Sequence, residues 1–229
     1  MEETLVKQWL CLALVACGLS AAPALPQERV REDAFDLVDV TDTFFNGKDL
    51  TGWHGLPGLW SVREGALVGQ SPPAGLRFNT FLCSRRPYTN FELTFQVRLT
   101  GDLRRANSGV QVRSGLFNLD TYAVFGPQCD MGQIYWGSVY GENYGGMMQA
   151  SPADKVQALL KPGEFNDYAI RVVGNHITTR LNGEVLVNRA FPLLPDQGLI
   201  AWQLHAGPAM EVVFKNIRLV DLRPRPKTK

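Results

Sequence analysis

Apolar and polar residues alternate along most of the chain beyond residue 40, with the period of two that is typical of half-buried β-strands. The clearest case is FELTFQVRL at 91–99, in which aromatic and aliphatic residues take every second position. Such a strand buries one face against a core and leaves the other to water. Further strand-like segments lie near residues 59–69, 80–86, 108–114, 121–130, 133–140, 166–173, 175–181, 184–189, 198–205 and 211–221.

Turn signals between these segments predict short antiparallel connections. Asn182-Gly183 stands between two apolar runs and is a strong hairpin signal. One short helix is expected, with Ser151 as N-cap and Pro152 at its first position, ending at 161–163. Many strands, one short helix and no strand–helix alternation predict an all-β fold, an antiparallel β-sandwich or jelly roll.

The first residues predict export. Lys7 precedes an apolar run from Trp9 to Leu19, and small residues follow, so 1–24 has the pattern of a signal peptide. The run is too short to span a bilayer, which needs roughly 20 apolar residues. We therefore expect a periplasmic or cell-envelope protein.

A lipid anchor is a specific form of this expectation. The residues LVAC at 14–17 resemble a lipobox, in which the cysteine, here Cys17, becomes acylated. Ordinary cleavage after Ala22 or Ala24 is the alternative. The lipid at Cys17 would be the protein's one contact with a membrane.

The rest of the chain fits one domain. We expect a charged linker at 25–40, the folded domain at 41–222 and a basic tail at 223–229. A composition of 45% hydrophobic and 20% charged residues suits a full core. The net charge of +1 gives no reason to expect a nucleic acid as partner.

Two cysteines lie beyond the signal segment. Cys83 and Cys129 could form a disulfide in an oxidising compartment, or both could be buried free thiols. Their spacing is not that of a zinc or redox motif.

Polar residues on the non-core side of three strands are the candidate site. Alternation with apolar neighbours places a glutamine beside a charged or titratable residue on each strand: Gln111 with Arg113, Gln128 with Asp130, and Gln203 with His205. Together such groups could hold an anionic intermediate, transfer a proton or bind a divalent metal. Three unrelated solvated faces are the alternative, because alternation does not show that the strands are neighbours.

The segment 133–148 is rich in aromatic residues and glycine. Trp136 and Tyr140 are candidates for stacking on a sugar ring, and Glu142 is a further candidate carboxylate. A hydrophobic corner under a long loop would give the same composition. We expect Trp53 and Phe78 to belong to the core.

Seven segments of the chain, taken in order, resemble the 3-keto-disaccharide hydrolase domain family. They are FFNGKDLTGW (44–53), WSVREGALVG, YTNFELTFQVRL, NSGVQVRS, GPQCDMGQIYWGSVYGE, FNDYAIRVVGNHITTRLNGEVL and GLIAWQLHAGPAMEVVFKNIRLVDL. The resemblance covers roughly residues 40–222. It implies a concanavalin A-like jelly roll that acts on glycosides or disaccharides oxidised to a ketone at the third sugar carbon. The ketone acidifies the neighbouring proton, so that elimination of the aglycone and addition of water give a net hydrolysis.

The resemblance also implies roles for individual residues. His205 and Asp130 look like the proton-transfer or metal-binding pair, and Glu142 like a supporting carboxylate. Arg113 and Gln128 look like oxygen-binding groups. Many relatives have a tyrosine where Pro127 stands here, and arginines after the loop that ends in Glu142.

Two other functions compete with this one. A non-catalytic carbohydrate-binding module would use Trp136, Tyr140 and the glutamines, and would not need His205. An ordinary glycosidase needs two carboxyl groups about 5–10 Å apart. No closely spaced pair of acidic residues lies on one alternating strand, which disfavours this last function.

Overall fold

A computed structural model describes residues 34–225. The predicted signal peptide at 1–24, with the candidate lipidation site Cys17, lies outside these residues. So do most of the predicted linker and the end of the predicted basic tail.

Within residues 34–225 the chain forms fifteen strands and two short helices. The strands are β1 (Phe35–Asp39), β2 (Trp53–His54), β3 (Trp60–Arg63), β4 (Ala66–Gln70), β5 (Thr80–Ser84), β6 (Phe91–Gly101), β7 (Ser108–Asn118), β8 (Ala123–Met131), β9 (Val139–Glu142), β10 (Gly146–Gln149), β11 (Asn166–Val173), β12 (His176–Leu181), β13 (Glu184–Ala190), β14 (Leu199–Leu204) and β15 (Met210–Pro224). The helices are α1 (Thr41–Phe44) and α2 (Ala153–Leu159).

The strands form two antiparallel sheets that pack as a sandwich. The eight-stranded sheet has the order β13-β12-β11-β6-β15-β4-β3, with β1 paired to β15. The seven-stranded sheet has the order β10-β9-β8-β7-β14-β5-β2. The predicted antiparallel jelly-roll sandwich is therefore confirmed.

Aromatic residues from both sheets meet in the core. Trp202 of β14 lies 4.5 Å from Phe214 and 5.2 Å from Phe95, measured between ring centroids. Tyr168 stacks on Phe95 at 5.5 Å. Trp53 is also buried, as expected. Large rings bury much apolar area at few side-chain torsions, so they hold the sheets together effectively.

Several element boundaries differ from the sequence prediction. Strand β1 lies within the predicted linker, because Phe35–Asp39 pairs with the end of β15. Helix α2 begins at Ala153, and Ser151 does not cap it: its hydroxyl donates to Trp136 O at 2.7 Å. The second helix, α1, was not predicted. Residues 133–138 form turns, and β9 begins at Val139.

The two cysteines are both free and buried. Cys129 belongs to the main core, whereas Cys83 belongs to a small cluster on the opposite face of the same sheet. Strands β7 and β14 separate the strands that carry them. The disulfide alternative is therefore wrong, and burial raises the pKa of the Cys83 thiol to about 12. None of the helices within residues 34–225 is long and apolar enough to cross a membrane.

Candidate functional site

Four polar side chains lie buried side by side on the outer face of the seven-stranded sheet. Gln111 is 0%, Gln203 1%, Gln128 2% and Asp130 6% exposed. They come from three adjacent strands, β7, β8 and β14, and Gln111 stands directly opposite Gln128 in the register. We call these four residues the amide floor. The structure thus brings together residues that alternation alone could not show to be neighbours.

Hydrogen bonds connect the floor into one chain. Gln128 Nε2 donates to Asp130 Oδ1 at 2.6 Å and to Gln203 Oε1 at 3.3 Å. Gln128 can cross between strands because Gly109 lies beneath it, where a Cβ would be 2.5 Å from the Gln128 side-chain carbon. Gln203 Nε2 is buried and has no hydrogen-bond partner within residues 34–225. It is an unused donor in the middle of the floor.

Asp130 has the most informative environment in the site. The pKa of its carboxyl group is raised to about 7, chiefly by burial and also by the charge of Glu142, while the hydrogen bond from Gln128 opposes the increase. Desolvation and a neighbouring like charge both disfavour a carboxylate. From the core side, Tyr168 Oη donates to the Asp130 carbonyl at 3.0 Å and fixes the backbone. Asp130 can therefore hold or release a proton near neutral pH.

Asn79 connects the two edges of the floor. Its Nδ2 donates to Glu142 Oε1 at 3.1 Å, and its Oδ1 accepts from the Ala206 backbone N–H at 2.9 Å. The sequence prediction missed Asn79. The alternation of β5 could have revealed it, since Asn79 shares the parity of Phe81 and Cys83, but those neighbours are apolar and concealed the face.

His205 lies at the open rim, partly exposed, directly after β14. Its Nδ1 lies 2.6 Å from the Ala206 carbonyl oxygen, which can only accept. Nδ1 must therefore carry the hydrogen, and Nε2 is left as a proton acceptor. Glu142 and Tyr140 are likewise half-buried, and Tyr140 stands opposite Gln128 in the register.

The structure does not bring Arg113 to the floor. Strand β7 carries one extra residue between Gln111 and Gly115 relative to β8, and Arg113 has φ +48° at this bulge. A bulge resets the alternation of side chains. Arg113 is buried and donates instead to the carbonyls of Thr89, Gly174 and Pro195 and to Asn90 Oδ1. The predicted substrate-binding role of Arg113 is therefore wrong. Its hydrogen bonds connect three backbone segments instead.

Trp136 is also corrected. The side chain is only 4% exposed and lies in the main core, 6.3 Å from the Tyr168 ring, so it cannot stack on a sugar. Phe78, expected in the core, is 42% exposed and directly precedes Asn79. Tyr140, which stands opposite Gln128, is thus the aromatic candidate beside the floor.

The tip of the β7–β8 hairpin forms a wall beside the floor. It folds over the sheet so that Leu116, Tyr122 and Val124 pack against Phe81 and Cys83. The Tyr122 ring also contacts His54 of β2, edge to face at 5.4 Å. This second small core explains how polar side chains on an outer sheet face become buried.

The metal stays a prediction. Residues 34–225 contain no group of three or more His, Cys, Asp or Glu side chains placed to hold an ion. His205 and Asp130 are the candidate ligands, and no step below uses a metal.

A family model for 3-keto-alpha-glucoside-1,2-lyase-like domains matches residues 41–220. The chain belongs to this family. Membership indicates a carbohydrate-related function, and it agrees with the resemblance seen in the sequence. No curated protein sequence matches this chain.

Solved structures support the same fold. A candidate glycosyl hydrolase from Parabacteroides distasonis ATCC 8503 is 21% identical, with a TM-score of 0.56 over 78% of this chain and 92% of that one. A second one from that strain is 23% identical, with a TM-score of 0.55 over 76% and 95%. The carbohydrate binding module CBM66 from Bacillus subtilis is 14% identical, with a TM-score of 0.52 over 72% and 93%.

Proposed function

We propose that the protein is a glycoside-cleaving enzyme that acts on 3-keto glycosides or 3-keto disaccharides by elimination and hydration. The observation that carries the proposal is Asp130, a buried carboxyl group with a pKa of about 7 that lies in a chain of amides. Glu142 lies on the neighbouring strand β9, and His205 directly follows β14. Proton-transfer groups are most effective when their pKa is near the working pH.

The reaction needs one proton removed and one supplied. A base takes the proton from the carbon between the ketone and the anomeric carbon, and its C–H electron pair becomes the new C=C bond. The bond from the anomeric carbon to the leaving oxygen breaks, and that oxygen takes a proton. Water then adds its hydroxyl group to the anomeric carbon and a proton to the neighbour, so the net change is hydrolysis.

The site offers one group for each task. His205 Nε2 is the base, since its other nitrogen is held as a donor by Ala206 O. Protonated Asp130 is the acid for the leaving oxygen, because burial and Glu142 favour its neutral form. Gln203 Nε2 supplies a hydrogen bond to the enolate oxygen, which would satisfy a donor that has no partner within residues 34–225.

Leaving-group dependence tests the assignment. Asp130→Asn should slow cleavage of a 3-keto glucoside with an alkyl leaving group far more than one with a nitrophenyl leaving group, because a nitrophenolate departs without an acid. His205→Gln should slow both equally. If Asp130→Asn slowed cleavage of both substrates equally, Asp130 would not be the acid. The elimination route itself would not be contradicted.

Isotope labelling tests the route. Cleavage in deuterated water should place deuterium on the carbon next to the ketone, faster than in released sugar incubated without enzyme. The matching glycoside with its hydroxyl group intact should be cleaved far more slowly. Binding of the ketone sugar without any cleavage would instead identify a carbohydrate-binding module.

One observation favours a second function, an ordinary glycosidase. The sequence disfavoured it because no acidic pair lies on one strand, but Asp130 and Glu142 of neighbouring strands are close enough to interact electrostatically. Two such carboxyl groups could act as acid and nucleophile or base. Equal rates on oxidised and intact glycosides, without deuterium incorporation, would establish this function.

Export remains part of the proposal. The apolar run and the LVAC motif at 14–17 support a lipid-anchored envelope protein. Mass spectrometry of the mature N-terminus from the native host should find acylated Cys17. A free N-terminus at Pro23 or Leu25 would contradict the anchor.

A further inference from the structure

A cleft of about 960 Å³ lies on the outer face of the eight-stranded sheet, away from the amide floor. Its apolar part is built from Ala66, Val68 and Val213, against which Phe165 packs. Val213 stands opposite Val68 in the register, and Ala66 lies two residues before Val68 on the same strand, so these side chains share one face. The cleft therefore has a flat apolar bottom, which suits one face of a ring.

Two cations stand over the same aromatic ring. Lys215 Nζ lies 3.7 Å and Arg98 Cζ 4.7 Å from the centroid of Phe165. Both are only partly exposed, and cation–π contacts hold them in place without neutralising them. They form a pre-positioned pair of positive charges.

Among the described residues, no carboxylate forms an ion pair with either cation. Within residues 34–225 the ion pairs include neither Arg98 nor Lys215. Of the acidic residues that line the cleft, Glu211 is bound by Arg63 and Glu64 lies exposed at the rim. Arg98 Nε is buried and lacks a hydrogen-bond partner among the described residues. An unpartnered guanidinium donor beside a second cation requires an acceptor, and an anionic one fits best.

We propose that this cleft binds a carboxylate carried on a ring with one apolar face, the chemistry shared by uronic acids and aromatic acids. The carboxylate would lie between Arg98 and Lys215, with Arg98 offering its planar fork and Lys215 a point charge. The ring would cover Val68 and Val213. The proposal uses no residue of the amide floor and holds whether or not the protein cleaves 3-keto glycosides.

Calorimetry and ligand-observed NMR test the cleft with three probes: galacturonic acid, 4-hydroxybenzoate and glucose. At least one of the two acids should bind, and glucose should not. The acid with the higher affinity indicates whether the natural ligand carries its carboxylate on a sugar ring or on an aromatic ring. The doubly neutral variant R98Q/K215Q should bind about tenfold more weakly or worse, since charge-assisted hydrogen bonds are lost. The charge-conserving R98K/K215R should bind more tightly than R98Q/K215Q but more weakly than the wild type, because lysine at position 98 keeps the charge and loses the planar fork.

Two controls make the test specific to the cleft. Arg180→Gln removes an exposed cation from strand β12 of the same sheet and should leave binding unchanged. Asp130→Asn, in the other sheet, should also leave it unchanged. Unaltered affinity in a folded R98Q/K215Q variant, equal binding of glucose, or binding of neither acid at millimolar concentration would overturn the proposal.

Discussion

The outer faces of the two sheets show the same alternation of polar and apolar residues, but different chemistry. On the eight-stranded sheet, polar side chains pair with opposite charges in water: Arg171 with Glu92 at 3.0 Å, and Arg218 with Asp39 at 3.0 Å. On the seven-stranded sheet, Asp130 is buried, and its only side-chain hydrogen bond within residues 34–225 comes from an amide. Exposed ion pairs contribute about 0–1 kcal/mol each, whereas a buried carboxyl group shifts its pKa instead.

The difference comes from what covers each face. The β7–β8 hairpin folds over the seven-stranded sheet and places Leu116, Tyr122 and Val124 on Phe81 and Cys83. Water is excluded next to the glutamines, so they must bond to one another. In the described part of the chain, the ion-paired residues of the other face remain partly exposed at 22–55% of their side-chain area. Cover by another segment therefore distinguishes the buried carboxyl group of Asp130 from these ion pairs.

The largest expected effect is that of Asp130→Asn. If buried Asp130 is the acid, cleavage of alkyl 3-keto glycosides should fall by about 100-fold or more, the usual contribution of a positioned acid. Asp167→Asn, which removes an exposed carboxylate bonded to Gln96 on the other sheet, is the matched control and should keep full activity. Steady-state kinetics and thermal melts of both variants compare the two carboxyl groups. Equal kcat and KM in the two variants would contradict a catalytic role for Asp130.

Variants of Trp136 and Tyr140 should affect different properties, because Trp136 belongs to the core and Tyr140 lies beside the floor. Trp136→Ala should lower the free energy of unfolding by about 3–5 kcal/mol, because it leaves a cavity next to Tyr168. Tyr140→Ala should cost about 1 kcal/mol or less and should raise KM instead. Urea unfolding and kinetics on the two variants distinguish these outcomes. A normal KM in Tyr140→Ala would remove it from the site.

The pH dependence of stability probes Asp130 directly. Its folded pKa of about 7 lies above the ordinary 3.8, so the folded chain binds a proton that the unfolded chain releases between these values. The stabilisation is complete below about pH 4 and is lost as pH rises through 7, at up to about 1.4 kcal/mol per pH unit. Urea unfolding at pH 5 and 8 should show this loss in the wild type and less of it in Asp130→Asn. Activity should fall above pH 7 for the same reason.

The smallest effect tests the amide chain alone. A Cβ at Gly109 would lie 2.5 Å from the Gln128 side chain, so Gly109→Ala should push Gln128 away from Gln203. We expect a loss of about tenfold in kcat, comparable to one hydrogen bond. Ser61→Ala, in β3 of the other sheet, is the control. Gly174→Ala is unsuitable because Gly174 has a positive φ, a backbone conformation that strains alanine. Unchanged kcat in Gly109→Ala would show that Gln128 and Gln203 act separately.

The sequence predicted the fold class and the side of the sheet for most of the site, because alternation fixes which way a side chain points. Gln111, Gln128, Asp130 and Gln203 share one face as expected, while their roles stay predictions. The prediction failed at Arg113, since parity does not survive an inserted residue. It also failed at Trp136, where turns replace a strand and alternation has no meaning. Asn79 was missed because its face is mixed, polar at one end and apolar at the other.

The extra residue in β7 has a consequence for how the loops around the sheet are held. Deleting one residue at 112–114 would leave Gln111 opposite Gln128 and Leu116 opposite Val124, so the floor and the wall would keep their faces. The deletion would instead remove the bulge from which Arg113 reaches the carbonyl groups of Thr89, Gly174 and Pro195. One inserted residue thus anchors three separate backbone segments to the sheet and leaves the floor unchanged.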